Sequence, residues 1–275
     1  MFYHPQDRSL GVTCFVVIML VLSSVSRGRE PEPDQKPGPK KTATQSARKN
    51  LKLPGLMIDF EKRCVDLEGT ICIDRGFLEL VACTKGTKEH ESIVAIKARP
   101  MHVHAALLAL GTTNGNPAMR KRVDGEKTRW VSLPPRGDRI HVYLAFKNSS
   151  GKMVERPVSD FITRSKGQRA EIDVLNDRRE KGEASKGNKF PNTFLFAGSR
   201  LRDNGKGPRQ YLADLSGHVI SIATFGDELL CLPGIQSHAN GALTWQVDST
   251  HLPKVGTKIT LRLRPKKDQT SGVKN

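Results

Sequence analysis

The chain has 275 residues, 37% of them hydrophobic, and a net charge of +17. That hydrophobic share excludes wholesale disorder, and no uninterrupted apolar run of about 18 residues exists to build a polytopic membrane protein. Glycine (24) and proline (16) are too few and irregular for collagen, and five cysteines are too few for a disulfide-dense scaffold.

The first feature is an apolar run over residues 11–25, GVTCFVVIMLVLSSV, preceded by Arg8 and closed by the small residues Ser24 and Ser26. This pattern predicts a signal peptide over 1–26, cleaved before Arg27. As a helix the run covers only about 22 Å, short of a ~30 Å hydrocarbon core. The expected product is exported, periplasmic or secreted. Cys14 lies inside the run, which argues against a lipoprotein. Residues 27–52 are rich in proline and lysine and read as a disordered basic linker.

From residue 53 the pattern turns to strands. Residues 56–60 are apolar and extended. Residues 63–67 and 70–73 flank Leu67-Glu68-Gly69, which reads as a tight hairpin turn. Residues 77–83 and 90–97 follow, so 56–97 reads as an antiparallel meander. Pro100 opens a helix that Gly111 stops, apolar nearly all round over Val103 to Leu110 and therefore expected buried. Residues 112–138 read as an irregular polar excursion. Residues 139–147 alternate, with Ile140, Val142, Leu144 and Phe146 on one face. Residues 157–163 read as one helical turn and 164–189 as a flexible polar loop. Strands resume at 193–197, 210–213, 218–224, 242–247 and 257–263. The fold class is α+β and strand-rich: antiparallel meanders, one buried helix near 100–110 and a polar insertion loop. The domain spans 53–265, with a split near 164–189 as the alternative and 266–275 as a flexible tail.

The positive charge is unevenly placed. Residues 27–52, 164–189 and 254–275 carry +5, +3 and +6. A charge concentrated in tails and one loop suits a solvated surface, or adhesion to an anionic envelope polymer or membrane surface. Aromatic residues make up only 5%, which offers no stacking platform for single strands, so no specific nucleic-acid partner is expected. No particular protein partner is indicated.

The run CTKGTKEHESIVAIKARPMHVHAALLALG, Cys83 to Gly111, is the longest distinctive stretch. With FAGSR (Phe196 to Arg200), YLAD (Tyr211 to Asp214) and GHVIS (Gly217 to Ser221), it resembles the bacterial YdjY domain family over roughly 56–265. The resemblance implies a globular domain in an envelope setting and no specific activity. Some members of that family carry an iron–sulfur ferredoxin label. An iron–sulfur cluster needs closely spaced cysteines such as C-x₂-C, and Cys64, Cys72, Cys83 and Cys231 have none.

The strongest candidate chemistry is at Cys83 to Glu91. A hairpin there sets Cys83 opposite His90, at the ~5 Å Cβ spacing of a cross-strand pair, as a Cys–His dyad or as two metal ligands. One of His102 and His104, with Glu89 or Glu91, would complete a zinc quartet. The loop of Thr84, Lys85, Gly86, Thr87 and Lys88 is an anion-binding candidate, because amides of a glycine turn flanked by ammonium groups hold anions. Gly198 reads as a strand-end turn and Arg200 as a carboxylate partner. His218, His238 and His251 read as surface or hydrogen-bonded histidines. Trp130 and Trp245 are expected to pack, with rimming a pocket the alternative for Trp130. No cofactor is expected, with zinc the alternative.

Export favours oxidation, and at least one disulfide is expected among Cys64, Cys72 and Cys83, with Cys231 reduced and buried. Turn geometry favours Cys64–Cys72, whereas the family-like pattern includes Cys72 and Cys83. No complete catalytic motif is present. The expectation is an exported, non-catalytic binding or structural module, and the alternative is a metal-binding or Cys/His-dependent enzyme centred on Cys83 and His90.

Overall fold

Alternating apolar and polar residues, or short all-apolar runs, build the strands of this protein. A computed structural model describes residues 50–123, 129–165, 189–205, 207–237 and 243–266. The expected signal peptide, and nearly all of the linker, the 164–189 loop and the tail, lie outside the described residues.

In chain order, β1 (Leu51–Leu53) and β2 (Leu56–Asp59) make a hairpin, followed by β3 (Cys64–Ile71) and β4 (Leu80–Thr84). A 3-10 turn at Glu89–Glu91 leads to β5 (Ser92–Ile96) and helix α1 (Pro100–Ala109). Short strands β6 (Asn114–Asn116), β7 (Met119–Arg122), β8 (Trp130–Leu133) and β9 (Arg136–Gly137) precede the long β10 (Arg139–Lys147) and β11 (Met153–Pro157). A second 3-10 turn, Val158–Phe161, leads to β12 (Ile162–Arg164). The remainder comprises β13 (Thr193–Phe196), β14 (Leu201–Arg202), β15 (Gln210–Tyr211), α2 (Leu212–Ser216), β16 (His218–Ser221), β17 (Leu230–Cys231), β18 (Trp245–Val247) and β19 (Lys258–Pro265).

Eight strands close into a mixed barrel in the order β3, β19, β10, β13, β17, β16, β4, β5, and the β3–β5 pairing shuts the ring. Strands from both sides of residues 166–188 share this barrel, so no split falls there. Within the ring no strand edge is left open, while the β1–β2 hairpin and β11 attach alongside β3 and β10. The interior is filled by side chains. Leu144 pairs with Leu261 and Leu261 with Leu67, while Val142 pairs with Leu263 and Leu263 with Val65. These six residues are fully buried and form two apolar rows across three strands. Gly69 keeps the wall tight: a Cβ there would come within 2.7 Å of Val94 Cγ1 and 2.9 Å of Ile259 Cδ1.

The alternate residues of the same strands face outward and carry charge. Arg262 donates to both Asp66 oxygens at 2.6 Å and to Glu155 at 2.5 Å. Arg264 also donates to Glu155 and lies 5.0 Å from the Tyr143 ring centroid. Part of the C-terminal positive charge therefore belongs to the wall of the barrel, where carboxylates balance it, and not to a tail.

Several expectations need correction. The expected hairpin around Gly69 does not exist: residues 64–71 form one straight strand, whose first half pairs with β2 and second half with β5. The meander is not uniformly antiparallel, because β4 and β5 are parallel. Local alternation cannot tell a hairpin from a crossover; the barrel decides, by giving β4 the distant β16 as its antiparallel neighbour. Helix α1 buries one side only, through Pro100, Val103, Ala106 and Leu107, while Met101 and Leu108 are exposed. Residues 112–138 are less irregular than expected and hold four short strands.

Candidate functional site

Two parallel pairs, β4–β5 and β16–β17, interrupt the otherwise antiparallel ring. Their crossovers, residues 85–91 and 222–229, are shorter than the dozen or more residues usual for parallel strands. Because β4 and β16 are neighbours, the two crossovers meet over one patch of barrel wall. The first crossover also packs on Gly217, the left-handed residue (φ +80°) that ends α2 just before β16. Any Cβ there would collide with the Thr87 side chain.

Under this roof lies a chain of polar groups. His218 is buried, and its Nδ1 is 2.6 Å from Asp227 Oδ1. Its ring stacks on Phe225 with centroids 4.1 Å apart. Lys88 Nζ lies 5.3 Å from the centroid on Phe225, donates to Glu91 and sits 3.6 Å from Glu79. Ser199, at φ +53°, donates its hydroxyl to the Asp227 carbonyl at 2.5 Å and accepts from the Ala213 amide at 3.1 Å, tying α2 to the second crossover. Glu228 is fully buried; one oxygen accepts from the Phe225 and Gly226 amides. His218 Nε2, Thr84 Oγ1, Ser221 Oγ and the second Glu228 oxygen are buried without a hydrogen-bond partner among the described residues.

The electrostatics follow from this packing. Burial pushes the Asp227 carboxyl up, but the hydrogen bond and charge of His218, with Ser216 and Arg200, hold the group below its usual value. Burial and the neighbouring Glu91 push Glu79 up. Burial opposes the charge on Lys88, yet the two carboxylates hold its ammonium above the usual range.

The structure separates the residues expected to form a dyad. Cys83 pairs with Ala95 on β5 and with His218 on β16, whereas His90 sits on the 3-10 turn with its side chain 76% exposed. The parallel crossover carries His90 back to the start of the strand, away from Cys83. Burial raises the Cys83 thiol, so it is held neutral. His104 is engaged elsewhere: its Nδ1 lies 2.8 Å from the Tyr211 hydroxyl, which donates to the Gly198 carbonyl at 2.8 Å. His102 has a buried Nδ1 with no hydrogen-bond partner among the described residues. Among the described residues no group of three or more His, Cys, Asp and Glu side chains is placed to hold a metal ion. The expected quartet of Cys83, His90, His102 or His104 and Glu91 (or Glu89) is therefore not assembled.

The anion loop is satisfied internally. The Gly86 amide donates to the Glu89 carboxylate, Thr87 donates to the Thr84 carbonyl at 2.5 Å, and Lys88 is held by Glu91; Lys85 is exposed. Cys64, Cys72, Cys83 and Cys231 are all free thiols, which corrects the expected disulfide. Cys64 and Cys72 bracket the whole of β3, roughly 26 Å apart at the ~3.3 Å rise of a strand, and β5 lies between β3 and β4.

Sequence reasoning missed the His218–Asp227 pair. The available signal was the acidic Asp227-Glu228 step inside an otherwise apolar run, nine residues after His218. It also missed Asp214, which accepts from the Met101 amide at 2.9 Å and from Arg99 at 2.5 Å and so caps α1 from a distance. The family-like stretches thus converge on two linked features, the crossover roof and the α1 anchor.

A model of the YdjY domain matches residues 56–264. The chain belongs to the YdjY domain family. The matched span begins with β2 and ends within β19, so it covers all but the last residue of the barrel. The YdjY domain is of unknown function and assigns no activity to the crossover site. Comparisons with curated proteins and with solved structures returned no match.

Proposed function

We propose that this YdjY domain is an exported, non-catalytic binding module that engages an anionic surface of the cell envelope. The observation that carries the reading is a cleft of about 770 Å³ beside β10 and β11. Lys147, Arg156, His251 and Lys254 line it, and its one acidic lining residue, Glu155, is matched by Arg262 and Arg264. Phe146, Leu252 and Pro253 add apolar lining. The filled barrel supports binding outside rather than inside the ring, and the buried, neutral Cys83 supports a non-catalytic role. The apolar run at 11–25 and the basic linker support export. Two measurements test this. Binding of the purified protein to an anionic polymer such as dextran sulfate should weaken steeply with salt. Intact mass of secreted material should give a chain beginning near Arg27. Salt-independent binding, or retention of residues 1–26 in a membrane-embedded product, would overturn it.

The unpartnered His218 Nε2 favours a second reading, an acid–base site at His218–Asp227 beneath the crossovers. Such a site must be reachable. Modification of His218 by diethylpyrocarbonate at the rate of an exposed histidine such as His90 supports this reading, and full protection removes it.

A further inference from the structure

Strands β7 and β8 form a two-stranded ribbon that is not part of the barrel sheet. Arg122 pairs with Trp130 and Arg120 with Ser132, so these four side chains share one face. All four residues are exposed, and Trp130 is 59% exposed. Lys121 and Val131 pair on the other face, and Val131 is exposed as well. Met119 and Leu133, at the root, are half-buried. Trp130 is absent from the cleft lining, so it does not rim that pocket. Over residues 119–133 the sequence has five basic residues against two acidic ones.

A solvated surface does not explain a tryptophan held open among arginines, because exposing an indole sacrifices much of its burial energy. A bilayer interface does. Indole rings are favoured at headgroup depth, and lysine and arginine beside them are drawn to anionic phosphates. An anionic polymer would satisfy the cations but offers no apolar layer to the indole or to Val131. We propose that the β7–β8 ribbon docks this domain on an anionic phospholipid surface, with Trp130 and Val131 at headgroup depth and Arg120 and Lys121 on the phosphates. The inference rests on the anionic-surface reading above, names the partner and adds a contact apart from the cleft.

The chain contains two tryptophans, and the other, Trp245, packs edge-on against Phe190 at 4.9 Å. In the full chain carrying Trp245→Phe, emission therefore reports on Trp130. Vesicles of equal parts phosphatidylglycerol and phosphatidylcholine should shift that emission to the blue, and phosphatidylcholine alone should not. Arg120→Gln with Lys121→Gln should weaken the response about thirtyfold, at roughly fivefold per cation. If Trp245→Phe unfolds the barrel, the emission difference between the unaltered chain and Trp130→Phe carries the same information. Cosedimentation with anionic vesicles at unchanged Trp130 emission overturns the ribbon as the contact and leaves the anionic-surface reading standing. A shift with dextran sulfate but not with vesicles overturns the membrane in favour of a polymer. No binding to either removes both readings.

Discussion

His218 and Asp227 illustrate how one pair of side chains can hold two loops. The imidazole is buried against Phe225, and the carboxylate that faces it belongs to the second crossover. Asp227→Asn should therefore cost about 1–3 kcal/mol at neutral pH by weakening a buried, charge-assisted hydrogen bond, as read by chemical denaturation. The pH dependence has a definite sign. The carboxyl lies below its usual value in the folded chain. A depressed acid stabilises the fold above its unfolded pKa, and that stability disappears as the pH falls through the folded value. The unaltered chain should lose stability below about pH 4 more steeply than the Asp227→Asn variant. Identical acid limbs would mean that Asp227 contributes nothing.

Among the elements, the two short parallel crossovers distinguish this fold from a simple antiparallel barrel. The first of them packs on Gly217, the turn into β16, where the backbone is left-handed and Thr87 fills the space beside the α-carbon. Gly217→Ala combines backbone strain of about 1–2 kcal/mol with a steric clash against Thr87. Removing the opposing atoms should relieve the second part. The double variant Gly217→Ala with Thr87→Ala should lose less stability than the two single variants summed, in a thermal-denaturation cycle. Strict additivity would show that the first crossover does not bear on the turn into β16 there. Helix α1 depends on distance in the same way: Asp214 caps its first turn, and Asp214→Ala should cost about 1 kcal/mol.

At the scale of the whole molecule, stability rests on the rows of side chains inside the barrel rather than on covalent cross-links. Leu261 lies between Leu67 and Leu144 in one such row. Leu261→Ala should cost about 2–5 kcal/mol, measured by denaturant midpoint at constant slope. The four thiols of the folded part are free. Unfolded, unreduced protein cleaved at Arg27 should therefore yield every one of them to a thiol reagent. Native protein should react slowly, because burial raises Cys231 to about 12 and Cys64 to about 11. Recovery of only two thiols would restore a disulfide.

Local chemistry alone determined a good part of this protein. The period-two pattern of residues 139–147 was legible because both faces of β10 have their own environment, core on one side and charge on the other. Proline and glycine likewise marked both ends of α1. Most of the candidate site was not legible. Cys83 and His90 are close in sequence, yet a parallel crossover parts them, while His218 comes opposite Cys83 from well over a hundred residues away. Strand order and direction are set by which apolar faces complete the barrel, and no window of a few residues carries that information. The same reasoning covers the cysteines. Nearness in sequence suggested a bridge, but an extended strand converts eight residues into the widest separation they can reach, and only the barrel required β3 to run straight through Gly69.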